Sequence, residues 1–545
     1  RYDLQACFFN MFGYQRFNYS HEDMGFSHDP SAIKAFAEFS GGDKIPDERD
    51  TSSPVYRKYL RFQDETSGII SRKIYDTIKS LNPRVGVANL AGHRDWIRLE
   101  ANRSIRRAQP EWQYQTGENA RFAQSVGRGE RPYTVGITHF YDFPWRYTAE
   151  SEAFQANRMA QAMASGAEPH YYFMGPVEPQ DDVKPVKAMR GFYAHHAKNE
   201  TLYTGLKSAN RIGLYNSKAT ERFGQIVVPK DRHGETAVAY RGAYRALLES
   251  GLCFDLISDR IGRAADFPDM LKRYDVIVLP DVTCISDAEA AALDAYVSDG
   301  GNLVVTAETG VLDEYGEQRS QNALASLPIA RVRDVRRNMF ASYLRIGDGE
   351  LNFPKTKVIM LDGVYVDAEP KPATETLLRV QPPQRFGPPE LSFPEVPLSN
   401  DPGVIIGAHG DGKVAYLPFS PDRLYYLYSL VEHRQLIAQI VGRFTKPIAK
   451  LDRASRIELT VRRHNKTGQV VAHLVNYSGQ ANDNFDHPVR QHDLVLRVTG
   501  VKPGIAQALV SGQEVAVEAA DAEGYCAVHV PPVDHWEAIV FSATS

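Results

Sequence analysis

Two carboxylates facing each other across a glycosidic bond suffice to hydrolyse it, about 5–5.5 Å apart in retaining enzymes and about 6.5–9.5 Å in inverting ones. Three acidic residues stand where such a pair could form: Glu100, Glu118 and Asp142. Glu100 lies in DWIRLEAN (95–102), with Arg98 two residues before it. In a strand those two side chains share one side, where the guanidinium could hold the carboxylate ionised as a nucleophile or base requires; a purely structural ion pair is the plain alternative. Asp142 stands in HFYDFPWR (139–146), among rings that could stack on a sugar, or else caps a turn before Pro144. Glu118 either joins the chemistry or simply favours a helix N-terminus. Asn10, Arg98, His139, Tyr141, Trp145, Arg146 and Tyr171 are the candidate substrate contacts; an amide such as Asn10 can hydrogen-bond a hydroxyl but cannot act as acid or base.

The elements that must position these groups follow from the pattern around them. Residues 133–137 form an apolar, β-branched run that ends at His139. A helical stretch follows with Ala156, Ala160 and Met163 on one side and Gly166 at its end, then a second strand-like run at 170–174. This β-loop-α-β unit is the building block of parallel sheets, and polar residues just past the first strand occupy the position of active sites in (β/α) barrels. Upstream, strands are expected at 3–9, 84–90 and 95–101, and a helix at 54–81. The stretch between Asn10 and residue 50 is expected to be a long loop; His21, His28 and Asp29 within it are too irregularly spaced for a metal site. The count is five β/α repeats in about 175 residues, whereas a complete eight-stranded barrel takes about 250. The expectation is the last five strands of such a barrel, with the first three absent.

After a linker at 198–210, a doubly wound, flavodoxin-like α/β pattern runs on, with strands at 211–215, 254–257, 274–280 and 303–307 and helices at 236–250 and from Asp287, the latter capped by Ser286. Residues 326–400 read as irregular and proline-rich. A hairpin at 404–418 and a helix at 426–444 close this part, and short alternating strands from Arg456 onward predict a β-sandwich. Cys284 lacks the flanking glycines and following His–acid pair of a cysteine nucleophile, and no glycine-rich phosphate loop follows the first strand.

Composition bounds the rest. With 545 residues the chain exceeds a single core. A net charge of −4 without a basic cluster argues against a nucleic-acid partner, and four dispersed cysteines against a zinc site or a disulfide framework. No apolar run approaches the ~20 residues of a membrane span. No secretory leader is visible and a cytoplasmic location is expected, while the start at Arg1 instead of Met leaves a removed or missing N-terminal segment open.

The motifs also carry a family resemblance. The stretch YDVIVLPDVTCISDAEAAALDAYVSDGGNLVVTAETG (274–310) resembles the β-galactosidase trimerisation domain, which has an amidotransferase-like fold. FFNMFGYQ (8–15), DWIRLEAN, WQYQTGEN (112–119), AQAMASGAEPHYYF (160–173), GDGKVAYLP (410–418) and VVAHLVNYSG (470–479) resemble the uncharacterised glycoside-hydrolase relatives of the family-42 β-galactosidases. The resemblance implies a catalytic-like (β/α) barrel portion over 1–200, a trimerisation-like flavodoxin or amidotransferase-like domain over 205–447 and a β-sandwich over 452–545. It also implies a carbohydrate substrate, no cofactor and a homo-oligomer, trimer or dimer. The departures are specific: that family has an Asn-Glu pair where Asn10 is followed by Met11, and a nucleophilic Glu where this chain has His139, Tyr141 and Asp142. The expected activity is glycoside hydrolysis through Glu100 with Asp142 or Glu118. The alternative is a carbohydrate-binding or scaffold protein that has lost the acid/base pair.

Overall fold

Apolar residues that alternate along 97–101 and 133–138 give two strands whose one side is a hydrophobic layer, and the fold of the N-terminal part grows from that layer. In the computed structural model, all residues are described except 1–3, 11, 16–17, 19–21, 104–111, 177, 179, 225–237, 263, 385–386, 393–394, 453–455, 483 and 543–545; Met11 and His21 lie outside the described residues. Two compact units emerge, Arg1–Ser208 with Arg456–Leu496 and Gly500–Ser545, and Ala209–Ser455 with Arg497–Thr499.

In the first unit the order is β1 (Ala6–Phe8), α1 (Pro30–Ser40), α2 (Pro54–Leu81), β2 (Gly86–Ala88), β3 (Ile97–Ala101), α3 (Gln115–Val126), β4 (Tyr133–Thr138), α4 (Glu152–Ala164), β5 (Glu168–Tyr172), α5 (Val186–Lys198), α6 (Glu200–Thr204) and β6 (Leu206–Ser208). β1 pairs in parallel with β2, and β3, β4 and β5 form a parallel sheet in that order. α2 begins where the Ser53 hydroxyl accepts from the Tyr56 amide, with Pro54 in the first turn. The segment expected to be a loop before residue 50 contains α1. Asp29 caps it by accepting from the Ser31 amide, and Gly41 closes it in the left-handed conformation (φ 81°). Asp29 thereby has a structural role instead of a ligating one.

The expected linker at 198–210 is also structured. It holds α6 and β6, and β6 pairs antiparallel with the strand Ile457–His464. From there one sheet runs through Val470–Asn476, Trp536–Phe541, Gly504–Ala508, Glu514–Val517 and Cys526–Val530. These strands are joined edge to edge in a single order, not divided between two separate sheets. α4 is buried along its length from Phe154 to Ala164. Its alanines admit close neighbours, and its buried amide nitrogens find acceptors: Gln155 Nε2 donates to the Thr138 carbonyl and Asn157 Nδ2 to the Asn476 carbonyl. Gly166, just past α4, has φ 82°, and a Cβ there would lie 2.4 Å from the Arg462 guanidinium, so the turn needs a glycine.

The second unit holds a nine-stranded sheet. Five strands are parallel, in the order Gly412–Leu417, Asn302–Thr306, Val276–Leu279, Ile212–Asn216, Phe254–Ser258. Val276, Ile277, Leu279, Leu303 and Val305 are all fully buried, as a strand covered on both faces requires. Ser286 and Glu289 form a reciprocal capping box at the start of Asp287–Ser298. The proline-rich region that read as irregular supplies three further strands, Val358–Leu361, Ser342–Arg345 and Glu375–Gln381, which with the expected hairpin strand Pro402–His409 extend the sheet in antiparallel fashion. The single helix expected at 426–444 is two, Pro421–Tyr428 and Val431–Gly442, broken at Ser429 (φ 55°).

Candidate active site

Ile97, Ala101, Tyr133 and Val135 pack beneath Ala120 and Ala123 of α3. Period-two alternation therefore turns Arg98, Glu100, Thr134 and Gly136 to the other face of the sheet. There Arg98 Nη1 donates to Glu100 Oε1 at 2.5 Å, and Asn102 Nδ2 donates to Glu100 Oε2 at 3.0 Å. The Arg98 guanidinium lies 4.9 Å from the Phe8 ring centroid and 5.5 Å from that of Tyr172, so it joins the ends of β1 and β5 across the face. Gly136, opposite Glu100 in β4, makes the room: a Cβ at that position would sit 3.1 Å from Arg98 Nη2. His170 of β5 faces the same pair. Its Nδ1 is 3.2 Å from the Thr134 hydroxyl, and burial, then the charge of Arg98, hold its pKa below the ordinary value against the pull of Glu100. His170 lay inside a quoted motif, but only the strand register shows that it meets Arg98 and Glu100.

Glu118 is in the first turn of α3, and Trp112 Nε1 donates to its Oε2 at 2.5 Å. Its neighbour Asn119 donates through Nδ2 to the backbone carbonyl of Glu100 at 2.8 Å, which fixes the start of α3 to the end of β3. Asp142 is only 1% exposed, and its Oδ1 accepts from the Phe143 amide at 2.7 Å at the start of the short turn Phe143–Trp145. The three carboxylates thus stand in three settings: an ion pair on the strand face, an indole contact at a helix start, and a buried turn cap.

The loop after β4 is held as a hairpin by the Phe140–Ala149 bridge and by the Tyr141 amide donating to the Thr148 carbonyl. It carries Trp145 and Arg146 on its exposed tip. His139 is buried. Its Nε2 lies 2.8 Å from the Asp182 carbonyl, which can only accept, so Nε2 carries the proton and Nδ1 accepts from the Tyr171 hydroxyl at 2.9 Å. Burial lowers the His139 pKa and raises that of Tyr171, so both stay neutral and serve as connectors. Asn10 is exposed just past β1.

Four charged residues that the sequence reading did not single out surround this loop. Arg103 Nη1 binds Glu150 Oε1 at 2.8 Å, with Glu150 1% exposed, and Lys184 Nζ binds Asp182 Oδ2 at 3.1 Å. Arg103 lies 5.7 Å and Lys184 5.5 Å from the Tyr141 ring centroid, so that ring sits between two cations. Asp182 is below the usual carboxylate range although burial opposes this, because the Ala149 amide and Lys184 outweigh it. No local spacing links Arg103 to Glu150. Among the described residues no group of three or more His, Cys, Asp or Glu could hold a metal ion, and no helix is long and apolar enough to cross a membrane.

In the second unit Cys284 is 2% exposed, and burial pushes its thiol up to about 12. Its Sγ lies 3.8 Å from the Thr283 hydroxyl. It is an inert core thiol.

The β-galactosidase trimerisation domain matches this sequence over residues 214–344. No curated protein matches the chain. Among solved structures, α-L-fucosidase isoenzyme 2 from Paenibacillus thiaminolyticus is similar with a TM-score of 0.72 and 16% identity over 100% of this chain and 78% of that one. A β-galactosidase from Bacillus circulans sp. alkalophilus gives 0.67 and 12% identity over 94% and 74%. A family-42 β-galactosidase from G. stearothermophilus gives 0.64 and 13% over 95% and 74%. The resemblance to the family-42 β-galactosidases therefore holds in the trimerisation-domain sequence and in the mixed α/β, multidomain fold.

Proposed function

We propose that this chain is a glycoside hydrolase acting on an O-glycosidic bond of an oligosaccharide or glycoside, with Glu100 as one of its two carboxylates. The observation that carries the reading is the position of Glu100: on the open face of the parallel sheet, at the C-terminal end of β3, held by Arg98 and Asn102. Active sites of (β/α) barrels lie at that end of the strands, and β1 to β5 are read as part of such a barrel. Glu118 or Asp142 supplies the second carboxylate. Asn10, Arg98, Tyr141, Trp145 and Arg146 line the sugar site, with His139 and Tyr171 connecting the strand ends behind it. The domains are taken as 1–200, 205–447 and 452–545, with the middle one joining copies of the chain. The similarity to structures named as β-galactosidases and as an α-L-fucosidase supports the class and suggests which glycosides to try first.

The test is hydrolysis of p-nitrophenyl β-D-galactoside, α-L-fucoside and a wider glycoside panel, with Glu100→Gln measured on whichever is cleaved. Loss of an acid/base or nucleophilic carboxylate lowers the rate by about 10²–10⁴ or more. Unchanged turnover in Glu100→Gln removes Glu100 from the mechanism. The second reading is a carbohydrate-binding protein without catalysis, and the pairing of Glu100 with Arg98 together with the capping role of Asp142 favours it. Sugar binding without turnover across the whole panel would select that reading.

A further inference from the structure

The strand Val470–Asn476 places His473 in a fully buried position where neither ring nitrogen has a hydrogen-bond partner. A neutral imidazole tolerates this at some cost, but an imidazolium would bury two donors and a charge without an acceptor. Among the described residues its surroundings offer no compensation. Its partners on the flanking strands are Thr460 and Ala538, which carry no charge. Arg462, two residues along from Thr460, is a buried cation whose donors reach Gln124, Ser165, Leu206 and Tyr133, all neutral. Glu537, next to Ala538, is occupied by the amides of Val510 and Ser511.

On the helix side, the Tyr203 ring of α6 lies 5.9 Å from His473, and the Tyr203 hydroxyl is 3.1 Å from His195 Nε2 of α5. His195 also packs edge-on to Trp536 at 4.8 Å, and Trp536 stacks on Phe192. The other titratable groups of α5 here are His196, which meets Glu168 at 3.1 Å, and Lys198.

We propose that the seating of the C-terminal sheet on α5 and α6 is a latch released by acid, opened when His473 and His195 take up protons. Burial first, then Arg462 and His195, holds His473 down at about 3, and burial, His196 and Lys198 hold His195 at about 4. Both values lie below the ordinary 6.5, so the stabilisation is fully present above pH 6.5 and is lost as pH falls toward the folded values. Each histidine weakens the seated state by about tenfold per pH unit in that window. The latch reaches the candidate site through α5, because the Tyr193 hydroxyl accepts from the Tyr171 amide. It does not depend on the hydrolase reading.

The experiment is hydrogen exchange of the full chain between pH 7 and 4.5, corrected for intrinsic rates, with Trp536 fluorescence read in parallel. The expected result is that residues 186–204 and 470–476 lose protection together below about pH 6 and regain it when the pH is restored. His473→Phe, which cannot titrate, should hold that protection to at least about one pH unit lower. Protection that persists unchanged to pH 4.5 in the parent protein overturns the proposal, as does an unshifted acid response in His473→Phe. Should His473→Phe not fold, His195→Phe is read by the same criterion.

Discussion

Asn119 and Glu100 meet at the glutamate's main chain: the Asn119 side chain donates through Nδ2 to the Glu100 backbone carbonyl at 2.8 Å while the Glu100 carboxylate is left to Arg98 and Asn102. The bond fixes the strand end without occupying the side chain that would act there. Main-chain anchoring of a carboxylate-bearing residue from a neighbouring helix is a support of the kind that keeps a reacting group in place.

Gly136→Ala tests the space in front of that carboxylate. The added methyl would press on Arg98 Nη2 at 3.1 Å, so the guanidinium must shift away from the Phe8 and Tyr172 rings or from Glu100. On a cleaved glycoside we expect kcat to fall by about tenfold or more, since displacements of about 1 Å cost as much as 10², with the melting temperature nearly unchanged.

Arg121 and Glu458 are 5% and 1% exposed by side chain and meet at 2.5 Å, with the Tyr477 hydroxyl donating to the second Glu458 oxygen at 2.6 Å. Arg121→Ala leaves a buried carboxylate without its cation and should destabilise the first unit by about 3–5 kcal/mol. Replacing both residues by apolar ones of similar size should cost less. Denaturant unfolding of the two variants side by side checks the order.

The second unit should lose stability as the solution becomes more alkaline. Asp281 is pushed up to about 8 by burial, then by Asp422 and Glu308, and burial raises Asp422 to about 6. A carboxylate whose folded pKa lies above its unfolded one contributes fully below the unfolded value and loses that contribution as pH rises through the folded one. Stability of this unit should therefore decline between about pH 4 and 8, by roughly 1.4 kcal/mol per pH unit while one group titrates. Asp281→Asn, which can still accept from the Glu308 amide, should flatten the decline.

Thiol labelling should follow burial. Cys7 is partly exposed, whereas Cys253, Cys284 and Cys526 are buried. Iodoacetamide on the native protein should modify Cys7 first and Cys284 only after unfolding. Prompt labelling of Cys284 would contradict its core setting.

Local rules identified elements whose stabilisation is local. The Ser53-Pro54 start and Asn82 end of α2, the β4–α4–β5 unit and the capped helix at Ser286 are all written in adjacent residues. α1 was equally written, in Asp29-Pro30 and Gly41-Gly42, but was obscured by the polar text around it. The strands within 326–400 were hidden because prolines and short lengths mask their alternation, and β6 because its partner strand begins at Ile457. The candidate site divides in the same way. Arg98 and Glu100 were visible as a period-two pair. The meeting of Arg103 with Glu150, and of His170 with that pair, depends on register and on loops closing over long separations.

The pairing of β6 with Ile457–His464 has a consequence for synthesis. The second unit is an insertion between two parts of the first, so the N-terminal stretch leaves the ribosome long before the strands that cover α4 exist. Domains generally fold as they emerge. Here the inserted unit can complete itself while the earlier segment waits with α4 uncovered, and long-range closure of this kind is slow. The waiting segment is the natural client for a chaperone, and expression yield should depend more on the last hundred or so residues than on the inserted unit.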